Sequence, residues 1–469
     1  MNDLASDSRF LRKGALFNIF GTALKICGPV LTIVLARIFG STEFGIFVSM
    51  QAILLTVSRA ATLGLDRGLH WYLPQNKLKN RPVYQGIMES FWLTISIAVL
   101  ITVVIFLGAK ADLVLDELPY YALSIVFYAG VYVLSTSSEG NRKPWFAILI
   151  NDFLVMALSP LVSILLYFGG IPHALPLGLL IGQMGGFVLH ALVVRSQFRD
   201  MPIFPKRIVE KELFLYSLPI GLNVFVSDLL MRSTLWMVLY FLGADAAGVF
   251  ALMITLSNGL QTIRNGFNPL LVPVVSGMDE ERLKTDIKSV YSYCVSMAIL
   301  IQLVIGFFIV LFPEEIMSIA GKNFVMQPRA LGFLLDFQLV ATFFGMVNTI
   351  IDGMGKSVFN LKVSVFSLVL SCVFGGLLIP SLGLEGAAVS MLIYGIGSAV
   401  CYNVFLFRRG IRPYSLKLWP ELVWMALLLL LYVLLYSETV VFSMLQKILL
   451  YVGILVVLGL QYLFYKRKF

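Results

Sequence analysis

Apolar residues occur along the chain in long runs, which short polar segments separate. Fourteen runs stand out, and all but 213–241 are roughly 18–25 residues long, the length at which a helix crosses a hydrocarbon core of about 30 Å. Lipid offers the backbone no hydrogen-bond partners, so these runs are expected to be helices. The pattern therefore predicts an all-α polytopic membrane protein with spans near 15–39, 44–66, 87–109, 118–138, 145–168, 173–194, 213–241, 246–265, 289–312, 331–352, 358–380, 384–407, 420–437 and 444–465.

The first run follows a short basic segment that contains Arg9, Arg12 and Lys13. It is long for the apolar core of a signal peptide, and no clear cleavage site of small residues follows it. We therefore expect it to be a helix of the mature chain.

The basic residues test this count of spans. If the N-terminus is cytoplasmic, 27 of the 35 Lys and Arg fall on the cytoplasmic side, 5 on the opposite side, and Lys25, Arg59 and Arg232 within spans. This asymmetry is the one that the positive-inside rule requires. It predicts that both termini are cytoplasmic. The net charge of +9 then reflects orientation and contact with anionic membrane lipids rather than nucleic-acid binding.

Composition excludes several classes of function. The chain is 59% hydrophobic and 13% charged, whereas soluble proteins contain about 25% charged residues. No nucleotide-binding loop, metal-ligand spacing or large outer loop is present, so we expect no catalytic residues, no metal and no cofactor. The cysteines form no CxxC pair and lie in or near apolar spans, where small core residues are the simplest interpretation: Cys27, Cys294, Cys372 and Cys401.

Two local patterns occur twice. GGIPHALPLGLLIGQMGG (169–186) and GLLIPSLGLEGAAVSMLIYG (376–395) share an Ile-Pro pair followed six residues later by Gly, at an offset of 208. LARIFGSTEFGIFVSM (35–50) matches VLYFLGADAAGVFALM (238–253) at an offset of 203. We call the two Ile-Pro segments corners. We interpret each corner as a tight helix hairpin in which Gly permits a positive φ and Pro stops the preceding helix.

The repeats predict the organisation of the chain. Helices 1–2 correspond to 7–8 and helices 5–6 to 11–12, so each half holds six helices. An even number of helices returns the chain to the same side, which makes the repeat parallel. The predicted parts are an N-lobe (1–195), a basic cytoplasmic linker (196–212), a C-lobe (213–407), and helices 13–14 with a basic tail (408–469).

Several segments resemble a known family. The corner IPSLGLEGAAVSM (379–391), the preceding DGMGKSVFNLKVSVFSLVLS (352–371), LARIFGSTEFGIF (35–47) and the Pro219-containing segment 215–250 are similar to polysaccharide repeat-unit flippases. These belong to the multidrug/oligosaccharidyl-lipid/polysaccharide superfamily. The resemblance covers most of residues 10–407 and rests on degenerate hairpin motifs.

The resemblance implies a V-shaped pair of six-helix lobes. It also implies that the protein moves a polyprenyl-pyrophosphate-linked oligosaccharide from the inner to the outer leaflet of a bacterial inner membrane. The expected partners are this lipid-linked oligosaccharide, membrane lipids, and a polysaccharide polymerase and glycosyltransferases that act in the same process. A monomer is expected.

Such a substrate needs cations at membrane depth, and charges placed there usually face a cavity or a partner. Lys25 and Arg59 lie well inside their spans, with no acid at helical spacing within the span, so we expect them to bind the pyrophosphate. The alternatives are pairing with Asp152 or snorkelling. Arg232 follows Asp228 by four residues, and the sequence leaves a structural and a functional pair equally open.

Further candidates are less specific. Arg67 and Arg264 lie near cytoplasmic ends, where they either receive the head group or simply anchor the protein. Asp152 and Asp336 are candidates for coupling transport to protons or sodium, although Asp336 lies close to the outer boundary, where hydration is the simpler explanation. Four uncharged polar residues bond either sugar hydroxyls or neighbouring helices: Gln51, Asn223, Gln261 and Asn348.

Two other functions compete with the flippase. A drug or organic-cation exporter of the same superfamily favours an acidic cavity, whereas the unpaired charges of the first lobe are basic. A polymerase or ligase needs a sizeable outer loop with catalytic residues. The sign of the charges and the short loops favour the flippase.

Overall fold

The structure is a computed structural model. It describes residues 27–78, 83–112, 115–140, 144–198, 204–205, 209–276, 278, 280–354, 356–436 and 442–468. Within these ranges the regular structure is helical.

Twelve helices of the described ranges are long and apolar enough to cross a membrane. Ten of them correspond to single predicted spans, whereas Gly28–Ala61 and Lys211–Phe267 each cover two predicted spans. Both long helices break at a glycine, Gly40 in the first and Gly243 in the second. The apolar pattern therefore predicted the spans correctly where the structure describes them, and residues 15–26 of the first span lie outside that part.

The two breaks have the same geometry. Gly40 has φ 78° and ψ 172°, and Gly243 has φ 86° and ψ 179°. This backbone region is essentially restricted to glycine. The two positions are 203 residues apart, so the repeat that the sequence indicates is also a repeat of backbone conformation.

Contacts between Cα atoms divide the chain into two compact units. One comprises the chain up to Phe39 together with Ile46–Arg232, and the other comprises Gly40–Gly45 together with Ser233–Phe469. This division places the first part of the helix that begins at Lys211 with the first unit. The lobe ranges given above remain a prediction.

The first unit contains nine helical segments of the described chain. Its core forms where Leu65, Leu69 and Leu73 pack against Ile87 and Val133. The segments are α1 (Cys27–Ala61, of which Gly40–Gly45 belong to the second unit), α2 (Leu65–Leu78), α3 (Val83–Lys110), α4 (Leu118–Ala122), α5 (Ser124–Gly140), α6 (Pro144–Ala147), the π-helix Ile148–Val155, α7 (Met156–Phe168) and α8 (Ala174–Gln197), and the start of α9 (Lys211–Ser276) completes the unit.

The second unit contains the rest of α9 and the helices that follow it. Here α17 packs on α11, where Leu428 lies against Gly306, and on α13, where the Tyr432 ring lies against Gly332. The Trp424 indole donates a hydrogen bond to Gln461 Oε1 (2.7 Å), which ties α17 to α18. The helices are α10 (Glu280–Thr285), α11 (Ile287–Leu311), α12 (Pro313–Ser318), α13 (Arg329–Phe343), α14 (Val347–Gly353), α15 (Ser357–Leu382), α16 (Leu384–Arg408), α17 (Trp419–Tyr436) and α18 (Met444–Lys468).

Two local expectations were wrong. Pro380 does not stop a helix, because α15 continues through it to Leu382 and is followed by Gly383, whose φ is 65°. The connection between the predicted spans 44–66 and 87–109, which the apolar pattern leaves as a loop, is helical over most of its described residues, because α2 covers Leu65–Leu78. Leu65, Leu69 and Leu73 recur every four residues and are buried, so they form the apolar stripe of an amphipathic helix.

Candidate functional site

The first unit brings three arginines and two aspartates into one cluster. Arg59 lies near the end of α1, and a neighbouring pair on α2, Asp66 and Arg67, approaches it. A second pair, Asp228 and Arg232, comes from α9. These five residues are called the arginine cluster below.

A sharp turn between α1 and α2 brings Asp66 to Arg59. Leu63 and Gly64 have φ values of 48° and 77°, and Gly64 packs directly on the backbone of Gly221. The Thr62 hydroxyl donates to Asp66 Oδ1 at 2.9 Å. Asp66 stands in the first turn of α2, where a negative charge is favoured by the helix dipole.

Arg59 is held on three sides. Its Nη1 donates to Asp66 Oδ2 at 2.6 Å, and its Nε lies 3.8 Å from Asp228 Oδ2. The guanidinium carbon stands 3.6 Å from the centre of the Tyr132 ring, in cation–π geometry. The Arg59 side chain is 17% exposed and that of Asp66 is 2% exposed, so the ion pair is largely shielded from solvent.

The second pair of the cluster is more open. Arg232 Nη1 lies 3.1 Å from Asp228 Oδ1, and the two side chains are 23% and 19% exposed. Arg67 Nε stands 3.9 Å from Asp66 Oδ2, and the Arg67 side chain is 48% exposed. The structure thus pairs Asp228 with Arg232, as their spacing suggests, and Asp228 also approaches Arg59.

The charges of the arginine cluster do not cancel. It contains three guanidinium groups and two carboxylates, which leaves one net positive charge. Arg59 Nε is buried and makes no hydrogen bond with any residue that the structure describes. A buried donor without a partner is costly, so this edge of Arg59 is suited to receive a further acceptor.

His70 adds no charge to this region near neutral pH. It lies on α2, and its Nε2 stands 3.3 Å from Glu139 Oε2. Burial and the neighbouring Arg67 guanidinium lower the pKa of His70 below its ordinary value. The imidazole is therefore mostly neutral at pH 7.

The remaining predicted residues lie elsewhere. Lys25 is outside the described residues, and Asp152 lies in the π-helix with a side chain that is also outside them. Arg264 belongs to the second unit, within reach of an electrostatic interaction with Tyr394. Asp336 is on α13 of that unit, and its Oδ2 is buried without a hydrogen-bond partner among the described residues.

One expectation about Arg59 needs correction. We expected no acid at helical spacing, and pairing with Asp152 as the alternative, but the structure pairs Arg59 with Asp66 and Asp228. Sequence reasoning missed Asp66 and Tyr132 as members of the site. The signal for Asp66 was Gly64 two residues before it, because a glycine there permits the turn that returns Asp66 to Arg59.

A family of known proteins matches most of this chain. The family is described as polysaccharide biosynthesis protein, and the match covers residues 34–324, which are 291 of the 469 residues. The chain belongs to this family. No curated protein matches this polysaccharide biosynthesis protein significantly.

Several solved structures share this fold. The lipid II flippase MurJ, in an inward closed conformation, superposes with a TM-score of 0.73 at 11% identity, covering 97% of this chain and 99% of MurJ. An inward-facing multidrug resistance MATE family transporter of the MOP superfamily gives a TM-score of 0.66 at 17% identity, covering 83% of this chain and 98% of its own.

A third structure is a MOP superfamily transporter from Pyrococcus furiosus, for which a binding pocket of reverse polarity suggests a different function. It gives a TM-score of 0.59 at 16% identity, covering 84% of this chain and 94% of its own. At these identities the likeness shows the fold. It confirms the predicted fold class, and the family match over residues 34–324 together with this fold bears out the resemblance to the multidrug/oligosaccharidyl-lipid/polysaccharide superfamily.

Proposed function

We propose that this polysaccharide biosynthesis protein is a flippase for lipid-linked oligosaccharides. It moves a repeat unit carried on a polyprenyl pyrophosphate from the inner to the outer leaflet of a bacterial inner membrane by alternating access. Both termini are cytoplasmic in this proposal, and the protein acts as a monomer beside a polymerase and glycosyltransferases. MurJ, which shares the fold, is described as a lipid II flippase.

The arginine cluster is the observation that carries the proposal. A pyrophosphate is anionic at neutral pH, and a planar guanidinium matches two of its oxygens at once. Arg59 offers a buried Nε that forms no hydrogen bond within the described part of the chain and that lies 3.8 Å from Asp228 Oδ2. A phosphate oxygen at this edge gains a charge-assisted hydrogen bond in a shielded place, and no nucleophile is needed.

The exposure of the arginines gives an order of contact. Arg67 is half exposed and Arg232 is less so, whereas Arg59 is mostly buried. We propose that Arg67 and Arg232 meet the pyrophosphate first and that Arg59 binds it afterwards, while Asp228 turns from Arg59 toward Arg232. Lys25 is proposed as a further contact. Arg264, in the second unit, is proposed from its sequence position alone, as a residue near a cytoplasmic end that receives the head group on entry.

Transport of a charged head group needs a source of energy. Asp336 is our first candidate for binding a coupling cation, because its Oδ2 is buried without a partner among the described residues. Asp152 is the second candidate, from its sequence position alone.

A drug exporter of the same superfamily is the competing function. An organic cation needs an uncompensated acid, whereas both aspartates of the arginine cluster are paired with arginines. The net positive charge of the cluster disfavours a cationic substrate.

The test measures delivery of lipid-linked oligosaccharide to the outer leaflet in cells that lack their own copy of the protein. We expect Arg59→Gln to reduce delivery at least tenfold and Arg59→Lys to reduce it less, because lysine keeps the charge but loses the planar fork. Arg37→Gln, on the exposed face of the same helix, is the control and is expected to keep delivery. Membrane content of each variant is checked by immunoblot.

A double variant separates binding from folding. Arg59→Gln alone leaves Asp66 buried without its partner, whereas Arg59→Gln combined with Asp66→Asn removes both charges. We expect the double variant to regain thermal stability and to remain inactive. Normal delivery by the double variant contradicts the proposed role of Arg59.

A further inference from the structure

A cavity lies inside the first unit, next to the arginine cluster. It has a volume of about 510 Å³ and is bounded by α1, α5, the π-helix with α7, and α8. Small-molecule sites in proteins usually measure about 300–1,000 Å³. The cavity is therefore large enough for a compact ligand.

The lining combines amides and hydroxyl groups with aromatic rings. Gln51 Nε2 donates to the Tyr128 hydroxyl at 3.3 Å, and Asn151 Oδ1 lies 2.9 Å from His190 Nε2. Ser159 also lines the cavity, and its Oγ lies against Gly182. Because an amide carries both donors and an acceptor, Gln51 and Asn151 can each form a further hydrogen bond with a ligand.

A distortion of the backbone forms one wall of the cavity. The π-helix Ile148–Val155 contributes Asn151 and Val155 to the lining. A π-helical turn is rare and is frequently found at functional sites, because it changes the direction of the side chains that follow it. Here the π-helix carries Asn151, whose Oδ1 lies 2.9 Å from Nε2 of the buried His190.

The chemistry of the lining indicates the class of ligand. None of the lining residues that the structure describes carries a formal charge, and the rings of Phe47 and Tyr128 provide apolar faces. A neutral molecule with several hydroxyl groups and a flat apolar face fits this combination. A sugar ring has both features, whereas an ion or a fatty chain has at most one.

Tyr132 joins the cavity to the arginine cluster. Its ring lines the cavity and also carries the Arg59 guanidinium at 3.6 Å. We propose that the cavity binds a neutral sugar ring of the glycan, the one next to the pyrophosphate. This inference rests on the proposed function, because it takes Arg59 as the pyrophosphate ligand.

The test is thermal unfolding of the purified full-length protein with a panel of neutral methyl glycosides of common hexoses, 6-deoxyhexoses and N-acetylhexosamines. A ligand that binds only the folded state raises the melting temperature with its concentration. We expect at least one glycoside to give a saturable rise. Gln51→Leu removes a hydrogen-bonding group and Leu31→Trp fills the cavity, so each is expected to abolish the rise.

Two controls make the result specific. Gln446→Leu makes the same substitution at an exposed position of the second unit and is expected to keep the glycoside response. The double variant Arg59→Gln/Asp66→Asn is also expected to keep it, while losing the response to inorganic pyrophosphate. Gln51→Leu is expected to show the reverse pattern, so a failure of the cavity is distinguishable from a failure of the pyrophosphate site.

Three results overturn the inference. The first is that no glycoside raises the melting temperature, and the second is that the rise survives in both Gln51→Leu and Leu31→Trp. The third is that ethidium, an organic cation, raises the melting temperature and loses this effect in Gln51→Leu, which assigns the cavity to cations instead.

Discussion

Arg59 illustrates what single residues contribute to this protein. A lone arginine inside an apolar run is visible in the sequence, and the expense of burying it marks it as a site residue. Its partners are not visible in the same way, because Asp66 reaches it only through the turn at Leu63 and Gly64, and Tyr132 reaches it from another helix. The position of the cation could be predicted, whereas its surroundings depend on tertiary packing.

The Arg59–Asp66 pair gives a prediction about stability. Asp66→Asn removes a carboxylate that is 2% exposed and leaves Arg59 with the more distant Asp228. Loss of one partner of a buried ion pair costs about 3 kcal/mol. We expect a clear fall in the melting temperature of the purified protein, and Glu314→Gln, at an exposed position of α12, is expected to leave it unchanged. An unchanged melting temperature of Asp66→Asn shows that the pair contributes little.

Asp336 gives a prediction with the opposite sign for stability. A buried carboxylate oxygen without a partner is unfavourable. Asp336→Asn is therefore expected to leave the melting temperature unchanged or to raise it, with a gain in the free energy of unfolding of about 1 kcal/mol at most. If Asp336 binds the coupling cation, the same variant loses the dependence of transport on a proton or sodium gradient. Transport that still follows the gradient excludes Asp336 from coupling.

At the scale of the helices, the length of the apolar runs predicted the membrane spans. It did not predict the amphipathic helix α2. The spans appear as uninterrupted runs, and each described span was found. The helix α2 was missed because lysine, arginine and asparagine lie between its leucines, which lowers its average hydropathy to that of a loop. Its stripe of Leu65, Leu69 and Leu73 becomes meaningful only when another helix covers it.

The crossing of Gly45 and Gly248 gives a prediction for the second unit. A Cβ atom on Gly248 would overlap the Ser41 carbonyl oxygen, and one on Gly45 would overlap the backbone near Ala244. Gly248→Ala is therefore expected to destabilise the protein by about 1–3 kcal/mol. Gly259→Ala is a matched control on the same helix, where nothing lies within 4 Å of the added atom.

The melting temperatures of Gly248→Ala and Gly259→Ala test this expectation. Alanine favours a helix over glycine by about 0.5–1 kcal/mol, so Gly259→Ala is expected to melt at the same or a higher temperature than the unchanged protein. If Gly248→Ala melts like Gly259→Ala, the close backbone approach does not limit this crossing.

For the whole molecule, basic residues predict an orientation that the fold alone does not determine. With 27 of 35 Lys and Arg on one side, both termini are expected in the cytoplasm. Green fluorescent protein fused after Phe469 is expected to fluoresce, because it becomes fluorescent in the cytoplasm. Alkaline phosphatase fused after Gly321 is expected to be active, because it becomes active on the opposite side of the membrane. The reverse pair of results contradicts the predicted topology.

The paired breaks at Gly40 and Gly243 have a consequence for the history of the chain. Each holds a conformation that only glycine adopts without strain. We therefore expect these two glycines to be replaced more slowly during evolution than the residues around them. Distant relatives that have lost all other similarity between their halves are therefore expected to retain this pair of glycines at nearly the same separation. The pair then serves as a fixed reference for aligning the two halves of an ancestral duplication that ordinary sequence comparison no longer detects.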